Sequence, residues 1–248
     1  VAMQMLWVEP GTFTMGSPTS ETERRPDENE TQVTLTKGFY LGKYEVTQAQ
    51  YEAVMTGNSN GLSATPSNWP NNPNRPVEKV SWDDAQVFLT RLNAAEQAAG
   101  RLPAGWSYVL PTEAQWEYAC RAGTTTIFSW GNSASSTQAN FKGTEPYGGG
   151  AAGPNLQRTT DVGSFGANPW GFFDMHGNVL EWCSDWKASY ASGPLNDPVG
   201  PVSGSIRAIR GGSWYYGGKN LRSAERHHNP PDSRNNTLGF RLAFQKVQ

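Results

Sequence analysis

The side chains with the clearest chemical potential in this 248-residue sequence are two cysteines and three histidines. Cys120 and Cys183 could form one disulfide bridge or lie buried as free thiols. Two cysteines are too few for a disulfide scaffold in a chain of this length. The sequence leaves the bridge and the free thiols open, and it favours the thiols because unpaired cysteines are commonly buried.

The three histidines limit any metal site that would be built from imidazole ligands. His176 lies between Met175 and Gly177, and we expect it to be hydrogen-bonded inside a buried turn. His227 and His228 are adjacent, so in an extended segment they point to opposite faces and cannot both bind one metal ion. We expect both of them to be polar surface residues rather than ligands of a metal ion.

Arginines recur near the C-terminus and could line an anion site. In a loop-rich chain we expect them instead to fix loops through backbone carbonyls and carboxylates such as Glu181 or Asp185. These arginines are Arg210, Arg222, Arg226 and Arg241.

Segments rich in Tyr, Asn, Gly, Ser and His interrupt the last forty residues, at 215–220, 227–229 and 233–237. This is the composition of a paratope, in which tyrosine supplies rigid contact area and the small polar residues supply adaptable hydrogen bonds. We expect a shallow binding surface in which the tyrosines and histidines dominate affinity. The candidate ligand-contacting residues are Tyr215, Tyr216, Gly217, Gly218, Asn220, His227, His228, Asn229, Ser233, Asn235, Asn236 and Thr237. Tyr215 and Tyr216 have a competing interpretation as partly buried aromatics.

The composition restricts the class of protein that presents these residues. Aromatic residues make up 12% of the chain, including 10 Trp, which excludes a disordered chain. With 27 Gly and 17 Pro the sequence is unsuited to a helical bundle, and no apolar run is long enough to span a bilayer. The net charge of −2 gives no basic excess for nucleic acid. A loop-rich domain with large aromatic anchors remains.

Three helices are predicted from their capping residues. Thr47 begins a helix that runs to about Met55, and Ser81 begins one from Trp82 to about residue 99. Thr112 begins a third helix, which Gly123 ends.

Strands are predicted elsewhere in short stretches. Residues 6–17 suggest a hairpin that turns at Pro10-Gly11, and 32–46 suggest a pair of strands. Further strands are expected at 179–186, 206–214, 221–226 and 238–244, and Trp69 is expected to plug the core. Residues 124–169 lack periodicity and are expected to be irregular but packed. No repeat or linker divides the chain, so we expect one α+β domain over 1–248 with two or three helices and a small, irregular antiparallel sheet.

Several motifs occur together in one order: LPTEAQWEYA (110–119), WGN (130–132), DMHGNVLEW (174–182), RGGSW (210–214) and GFR (239–241). This combination resembles the formylglycine-generating-enzyme family, also called sulfatase-modifying factors. The resemblance extends over nearly the whole chain. It implies a variant of the C-type lectin fold, and it leaves the function to be argued from the site.

The oxidases of this family are implied to use two copper-binding cysteines shortly after the Gly-Gly-Ser-aromatic motif. Here that motif is followed by Tyr215 and Tyr216, and no cysteine occurs from Ile206 to the end. The family also implies a disulfide partner for Cys120 just after Gly-Phe-Arg, where this chain has Leu242. We therefore expect a non-catalytic protein, with formylglycine formation as the alternative. The iron-dependent sulfoxide synthases, a second enzyme branch, need a histidine set that this chain does not offer.

Within the family, the C-terminal segment resembles the variable proteins of diversity-generating retroelements. That resemblance implies a variable region, here 207–248, that displays a hypervariable surface to a protein or other macromolecular ligand. An undiversified accessory or regulatory domain is the other interpretation. Lys219 and Glu225 fall outside the residues that adenine-directed variation can reach, so they would be fixed positions.

The family resemblance also implies a structural calcium ion at the turn that contains Asn178 and Glu181, whose oxygen atoms suit calcium. No cofactor is expected to be required. The sequence contains no recognisable signal peptide or membrane span, so the compartment is left open. Cell-surface display could come from a missing segment or a partner.

Overall fold

The chain forms three α-helices, one short 3-10 helix and eleven strands in a computed structural model, which describes residues 2–246. The helices are α1 (Gln48–Met55), α2 (Trp82–Ala98) and α3 (Glu113–Arg121), and the 3-10 helix is Gly218–Leu221. The strands are β1 (Met5–Val8), β2 (Gly11–Met15), β3 (Thr31–Leu35), β4 (Phe39–Gly42), β5 (Trp106–Val109), β6 (Leu180–Trp186), β7 (Leu195–Asn196), β8 (Arg207–Arg210), β9 (His227–Asn229), β10 (Leu238–Gly239) and β11 (Ala243–Lys246).

All three helices begin where their capping residues predict. Thr47, Ser81 and Thr112 each accept a hydrogen bond from the backbone N–H three residues on. The side chain of that third residue in turn accepts a hydrogen bond from the backbone N–H of the cap. These reciprocal bonds satisfy N–H groups at the start of the helix, which have no carbonyl partner within the helix. At its other end α3 stops at Ala122, which adopts a left-handed conformation with φ 48°.

The N-terminal strands form a long ribbon rather than the predicted hairpin. β1 pairs with β4 and β2 with β3, both antiparallel, so the chain reverses in the loop 16–30. The prediction of a turn at Pro10-Gly11 is therefore wrong, as is the pairing of β3 with β4. Pro10 lies between β1 and β2, where the ribbon passes from one sheet to the next. Proline suits this position because it has no backbone N–H to donate to a neighbouring strand.

Three small sheets result from this pairing. The first has the order β1-β4-β11-β5 and joins the two ends of the chain, and the third has the order β2-β3-β7. The second has the order β10-β6-β8-β9, in which β10 runs parallel to β6 and the other neighbours are antiparallel. This second sheet carries the C-terminal segments with the unusual composition.

The C-terminal segment differs from its prediction in detail. Leu221 ends the 3-10 helix, residues 222–226 form a buried loop instead of a strand, and β9 follows at His227–Asn229. The whole segment is buried, including the charged side chains of Arg222 and Arg226. The predicted strand 238–244 is divided into β10 and β11, which belong to different sheets.

Large aromatic side chains hold the sheets and the irregular chain together. Trp116 and Trp182 are completely buried, one in each main cluster of apolar residues. The stretch between α3 and β6 contains no helix or strand in the described chain, and it packs through Phe128, Phe141 and Tyr147. The predicted α+β fold, rich in loops, is confirmed.

Candidate functional site

An unbroken row of aromatic rings begins directly after β8 and its Gly-Gly turn. Trp214 and Tyr215 meet edge to face with ring centroids 5.6 Å apart, and Tyr215 and Tyr216 do so at 5.5 Å. Tyr216 then packs on His227 of β9 at 5.2 Å. Edge-to-face packing fixes the orientation of these rings relative to one another. Two of the three C-terminal segments are thereby brought together.

The third segment adjoins the other end of this row. The indole N–H of Trp214 donates to the carbonyl oxygen of Asn236 at 3.0 Å, and the N–H of Lys79 donates to the carbonyl of Asn235 at 3.0 Å. Trp69 also packs edge to face on Trp214, at 5.2 Å. We call residues 214–216, 227–229 and 233–236, together with Trp69, the C-terminal surface.

The predicted ligand-contacting residues are exposed to different degrees. Tyr215, His228 and Asn235 are exposed, and Tyr215 is the most prominent with 60% of its area accessible. The half-buried members are Tyr216, Asn220, His227, Asn229, Ser233 and Asn236. The remaining three predicted residues, Gly217, Gly218 and Thr237, are buried.

The two buried glycines cannot present a side chain to a ligand, which corrects their assignment as contact residues. A Cβ atom at Gly217 would lie 2.7 Å from Glu145 Oε2, and one at Gly218 would lie 2.9 Å from Tyr147 Cβ. Thr237 is 8% exposed and precedes β10. These three residues are therefore buried beside the C-terminal surface and are not part of it.

His227 and His228 project to opposite faces of β9, as their adjacency predicts. The side chain of His228 is exposed, whereas that of His227 is only 12% exposed and lies 3.4 Å from Glu225 Oε1. The expectation that both are surface residues is therefore wrong for His227. Burial, together with the charge of Arg25, lowers the pKa of His227 to about 3, so its ring is neutral at physiological pH.

Sequence reasoning missed two contributors to this surface. Trp69 was expected in the core, but its ring is half-buried and packs on Trp214. Arg25 comes from the loop 16–30 and pairs with Glu225 at 2.6 Å while its own side chain stays 41% exposed. Long-range contacts place both residues, and no local pattern in the sequence marks them.

Buried ion pairs fix the scaffold beneath the surface. Arg241 binds Glu181 at 2.8 Å, as the sequence suggests, and Arg226 binds Glu113 of α3 through two contacts of 2.7 Å. Burial opposes ionisation of Glu113, but the charge of Arg226 holds its pKa below the ordinary value. Arg210 pairs with Glu117, also on α3.

Arg222 connects the C-terminal segment with the loop 16–30. It donates to Glu21 at 2.7 Å and to both oxygens of Glu28 at 2.7 and 2.8 Å, and it also binds Glu225 at 2.5 Å. Its side chain is completely buried. The predicted structural use of the arginines is confirmed, although most of their partners come from α3 and this loop.

The two cysteines are free and buried, which decides between the bridge and the thiols. Cys120 Sγ lies 3.5 Å from His176 Nε2, but burial raises the pKa of this thiol to about 12. His176 lies 2.7 Å from the carbonyl oxygen of Leu221 through Nδ1 and accepts from the N–H of Ser129 at 3.2 Å through Nε2. Burial lowers the pKa of His176 to about 4, so this buried pair stays neutral.

The calcium hypothesis requires free oxygen atoms on Asn178 and Glu181. Both oxygens of Glu181 accept hydrogen bonds from Arg241, and Oε2 also accepts one from the indole of Trp116 at 2.7 Å. Asn178 Oδ1 accepts from Asn140 at 3.1 Å. A carboxylate that is held by a guanidinium does not fit a calcium ligand. Glu45 Oε2, close to Asn178, is a buried oxygen that lacks a partner among the described residues.

Fold and surface together define a C-type lectin-like domain of the formylglycine-generating-enzyme type. A family model described as a sulfatase-modifying factor enzyme 1-like domain matches residues 2–246. The chain belongs to this family. It is 30% identical to the formylglycine-generating enzyme of Mus musculus, over 97% of this chain and 74% of that protein.

Two other similarities have different names. The serine/threonine-protein kinase pkn1 of Chlamydia caviae is 30% identical over 97% of this chain, which spans only 38% of that kinase. The solved structure of Treponema denticola variable protein 1 superposes with a TM-score of 0.80 and 26% identity, and covers 98% of this chain and 95% of that one. The resemblance to variable proteins within the family is thereby confirmed.

None of the helices described for residues 2–246 is both long and apolar enough to cross a membrane.

Proposed function

We propose that this protein is a non-catalytic ligand-binding protein and that its C-terminal surface contacts a protein or another macromolecule. The observation that carries the proposal is the convergence of three separate segments on one face, around the row from Trp214 to His227. Rigid aromatic rings beside exposed Asn and His side chains are suited to a broad contact area. The similarity to a variable protein supports this use of the fold.

The alternative is an oxidase of the formylglycine-generating type. It requires a thiolate pair after the Gly-Gly-Ser motif, and this chain has tyrosines there and two inert thiols elsewhere. We expect no oxidation of a cysteine-containing sulfatase peptide by the copper-loaded protein. If the wild-type protein oxidised the peptide and the Tyr216→Ala variant did not, our proposal would be wrong and the protein would be an enzyme.

A selection experiment tests the binding function directly. A library randomised at Tyr215, His228 and Asn235, displayed on yeast and selected against purified lysozyme, should yield folded binders. Each binder should lose its target when these positions revert. A matched library at Gly217, Gly218 and Thr237 should yield mostly unfolded protein, because those side chains are buried. Failure of the first library to yield any binder that depends on its randomised residues would contradict the proposal.

Retroelement diversification of residues 207–248 is the more specific form of the proposal. It requires a near-copy of the 3′ end of the gene, beside a reverse transcriptase gene and differing at adenines. We expect its differences to fall on codons for exposed residues such as Tyr215 and Asn235, and to spare the codons of Gly217 and Gly218. If no such copy exists, the accessory or regulatory domain with a fixed partner becomes the better interpretation.

A further inference from the structure

A cavity of about 370 Å³ is lined by the segment 188–201 and opens to solvent beside Val199, which is 65% exposed. No residue of the C-terminal surface lines it. Its walls are largely apolar and come from separate parts of the chain. They are formed mainly by Met15, Ala114, Trp186, Leu195, Pro198, Val199 and Pro201. This volume is within the range of pockets that bind small molecules.

One acidic group gives the cavity a polar end. Asp185 lines it and is only 5% exposed. Its Oδ2 accepts hydrogen bonds from the N–H of Glu113 at 2.9 Å and from the hydroxyl of Ser184 at 3.0 Å. No donor among the described residues reaches Oδ1, so the carboxyl can accept further bonds from a ligand.

Two arginines near this end of the cavity are engaged by other groups. Arg207 donates to the carbonyl oxygen of Ser184 at 2.7 Å and stacks on Trp186. Arg226 binds both carboxylate oxygens of Glu113 and two backbone carbonyls, and the ring of Tyr190 covers its guanidinium at 3.8 Å. The hydroxyl of Tyr190 is buried and has no hydrogen-bond partner within residues 2–246. Burial, then the charge of Glu113, raises the pKa of Asp185 to about 7, and a nearby cation would favour its ionised form.

We propose that this cavity binds a small organic amine whose apolar body fills the space between Leu195, Val199 and Trp186 and whose ammonium group binds Asp185 Oδ1. An ammonium supplies both the missing donor and the charge that a buried carboxylate lacks. A carboxylate ligand is disfavoured, because its charge would face Asp185 while Arg226 is already held by Glu113.

Three phenyl compounds of similar size serve as probes for calorimetry on the full chain: 2-phenylethylamine, 2-phenylethanol and 3-phenylpropionate. Above the pKa of Asp185, at about pH 8, the amine should bind most tightly and the carboxylate most weakly. Asp185→Asn keeps the size of the side chain and should weaken the amine about tenfold while leaving the alcohol within about twofold. Val199→Trp should obstruct the opening of the cavity and weaken binding of all three compounds.

The controls separate this site from the C-terminal surface. Tyr215→Ala should leave amine binding unchanged, and circular dichroism should show that Asp185→Asn and Val199→Trp are folded. Absence of saturable amine binding to the wild-type chain at millimolar concentration would overturn the proposal. Equal amine affinity in wild-type and Asp185→Asn protein would do so as well, whatever the function of the C-terminal surface.

Discussion

Tyr215 and Tyr216 are neighbours in the chain, but their surroundings assign them different roles. Tyr215 is exposed and meets the adjacent rings edge to face, whereas Tyr216 packs on His227 and borders the apolar cluster that contains Trp182. Tyr215 therefore fits the interpretation as a ligand contact, and Tyr216 fits the interpretation as a partly buried aromatic. The distinction predicts different consequences of removing each ring.

Tyr215→Ala should leave the free energy of unfolding within about 0.5 kcal/mol of wild type, since exposed side chains contribute little to stability. Tyr216→Ala should lower it by about 2 kcal/mol, because a half-buried ring and its contact with His227 are lost. Urea unfolding of both variants measures the difference. Unfolding of the Tyr215→Ala protein would place that side chain in the core and remove it from the binding surface.

Gly218 illustrates how composition alone misassigns a residue. Glycine is common in paratopes, but this one is packed so closely that a Cβ atom would lie 3.0 Å from the backbone nitrogen of Tyr147. Gly218→Ala should therefore lower the free energy of unfolding by about 1–3 kcal/mol through overpacking. The matched control is Gly166→Ala, where no atom lies within 4 Å of the added carbon and φ is not positive.

Thermal unfolding of the two variants provides the measurement. For a domain of this size, 1 kcal/mol corresponds to about 2–4 °C. Equal melting temperatures for Gly218→Ala and Gly166→Ala would mean that the loop at Tyr147 adapts, and Gly218 would again be available for variation.

At the scale of elements, the helices were predictable and the strand partners were not. A capping box such as Ser81 with Asp84 is a local signal, complete within four residues, and all three helices appear where such signals predict. Strand pairing depends on distant residues: β1 finds β4 across the loop 16–30, and β9 pairs with β8. The polar composition of the site was visible in the sequence, but the contacts of Trp69 and Arg25 required the fold.

The loop 16–30 is the element that most depends on one side chain. Arg222 binds Glu21, Glu28 and Glu225 at once while completely buried. Arg222→Met should lower the free energy of unfolding by about 3–5 kcal/mol, because buried carboxylates lose their counter-charge. The double variant with Glu28→Gln should recover part of this loss.

Hydrogen exchange distinguishes a local from a global effect of Arg222→Met. We expect faster exchange at the Ser17 amide, whose bond to the carbonyl of Glu28 closes the loop, and at its neighbours. Exchange that stays at wild-type rates throughout 16–30 would show that the loop is held by other contacts.

The turn at Asn178 tests the calcium hypothesis. Since Arg241 and Trp116 occupy the oxygens of Glu181, we expect the melting temperature to be the same in excess EDTA and in excess CaCl₂. Differential scanning calorimetry is the measurement. A saturable rise with calcium that Asn178→Ala removed would place an ion there, with Glu45 Oε2 as the available carboxylate oxygen.

At the scale of the whole molecule, we expect a scaffold that tolerates little change and a C-terminal surface that tolerates much. Arg210, Arg226 and Arg241 connect the C-terminal segments to α3 and to β6, and these connections lie below the exposed side chains. Variation of the surface should therefore leave folding intact. The exposed residues Tyr215, His228 and Asn235 are the ones at which we expect this tolerance.

This division predicts the behaviour of a multiple variant. Replacing Tyr215, His228 and Asn235 by Ser together should change the free energy of unfolding by less than about 1.5 kcal/mol, because each side chain is exposed and contributes roughly 0.5 kcal/mol at most. The same variant should lose any ligand selected on this surface, since it removes the accessible aromatic ring and its polar neighbours. Gly218→Ala should show the reverse pattern: a lower free energy of unfolding, with the exposed side chains of the surface unchanged. A triple variant that unfolds as readily as Arg222→Met would show that surface and scaffold are one cooperative unit, and a freely variable surface could not exist on it.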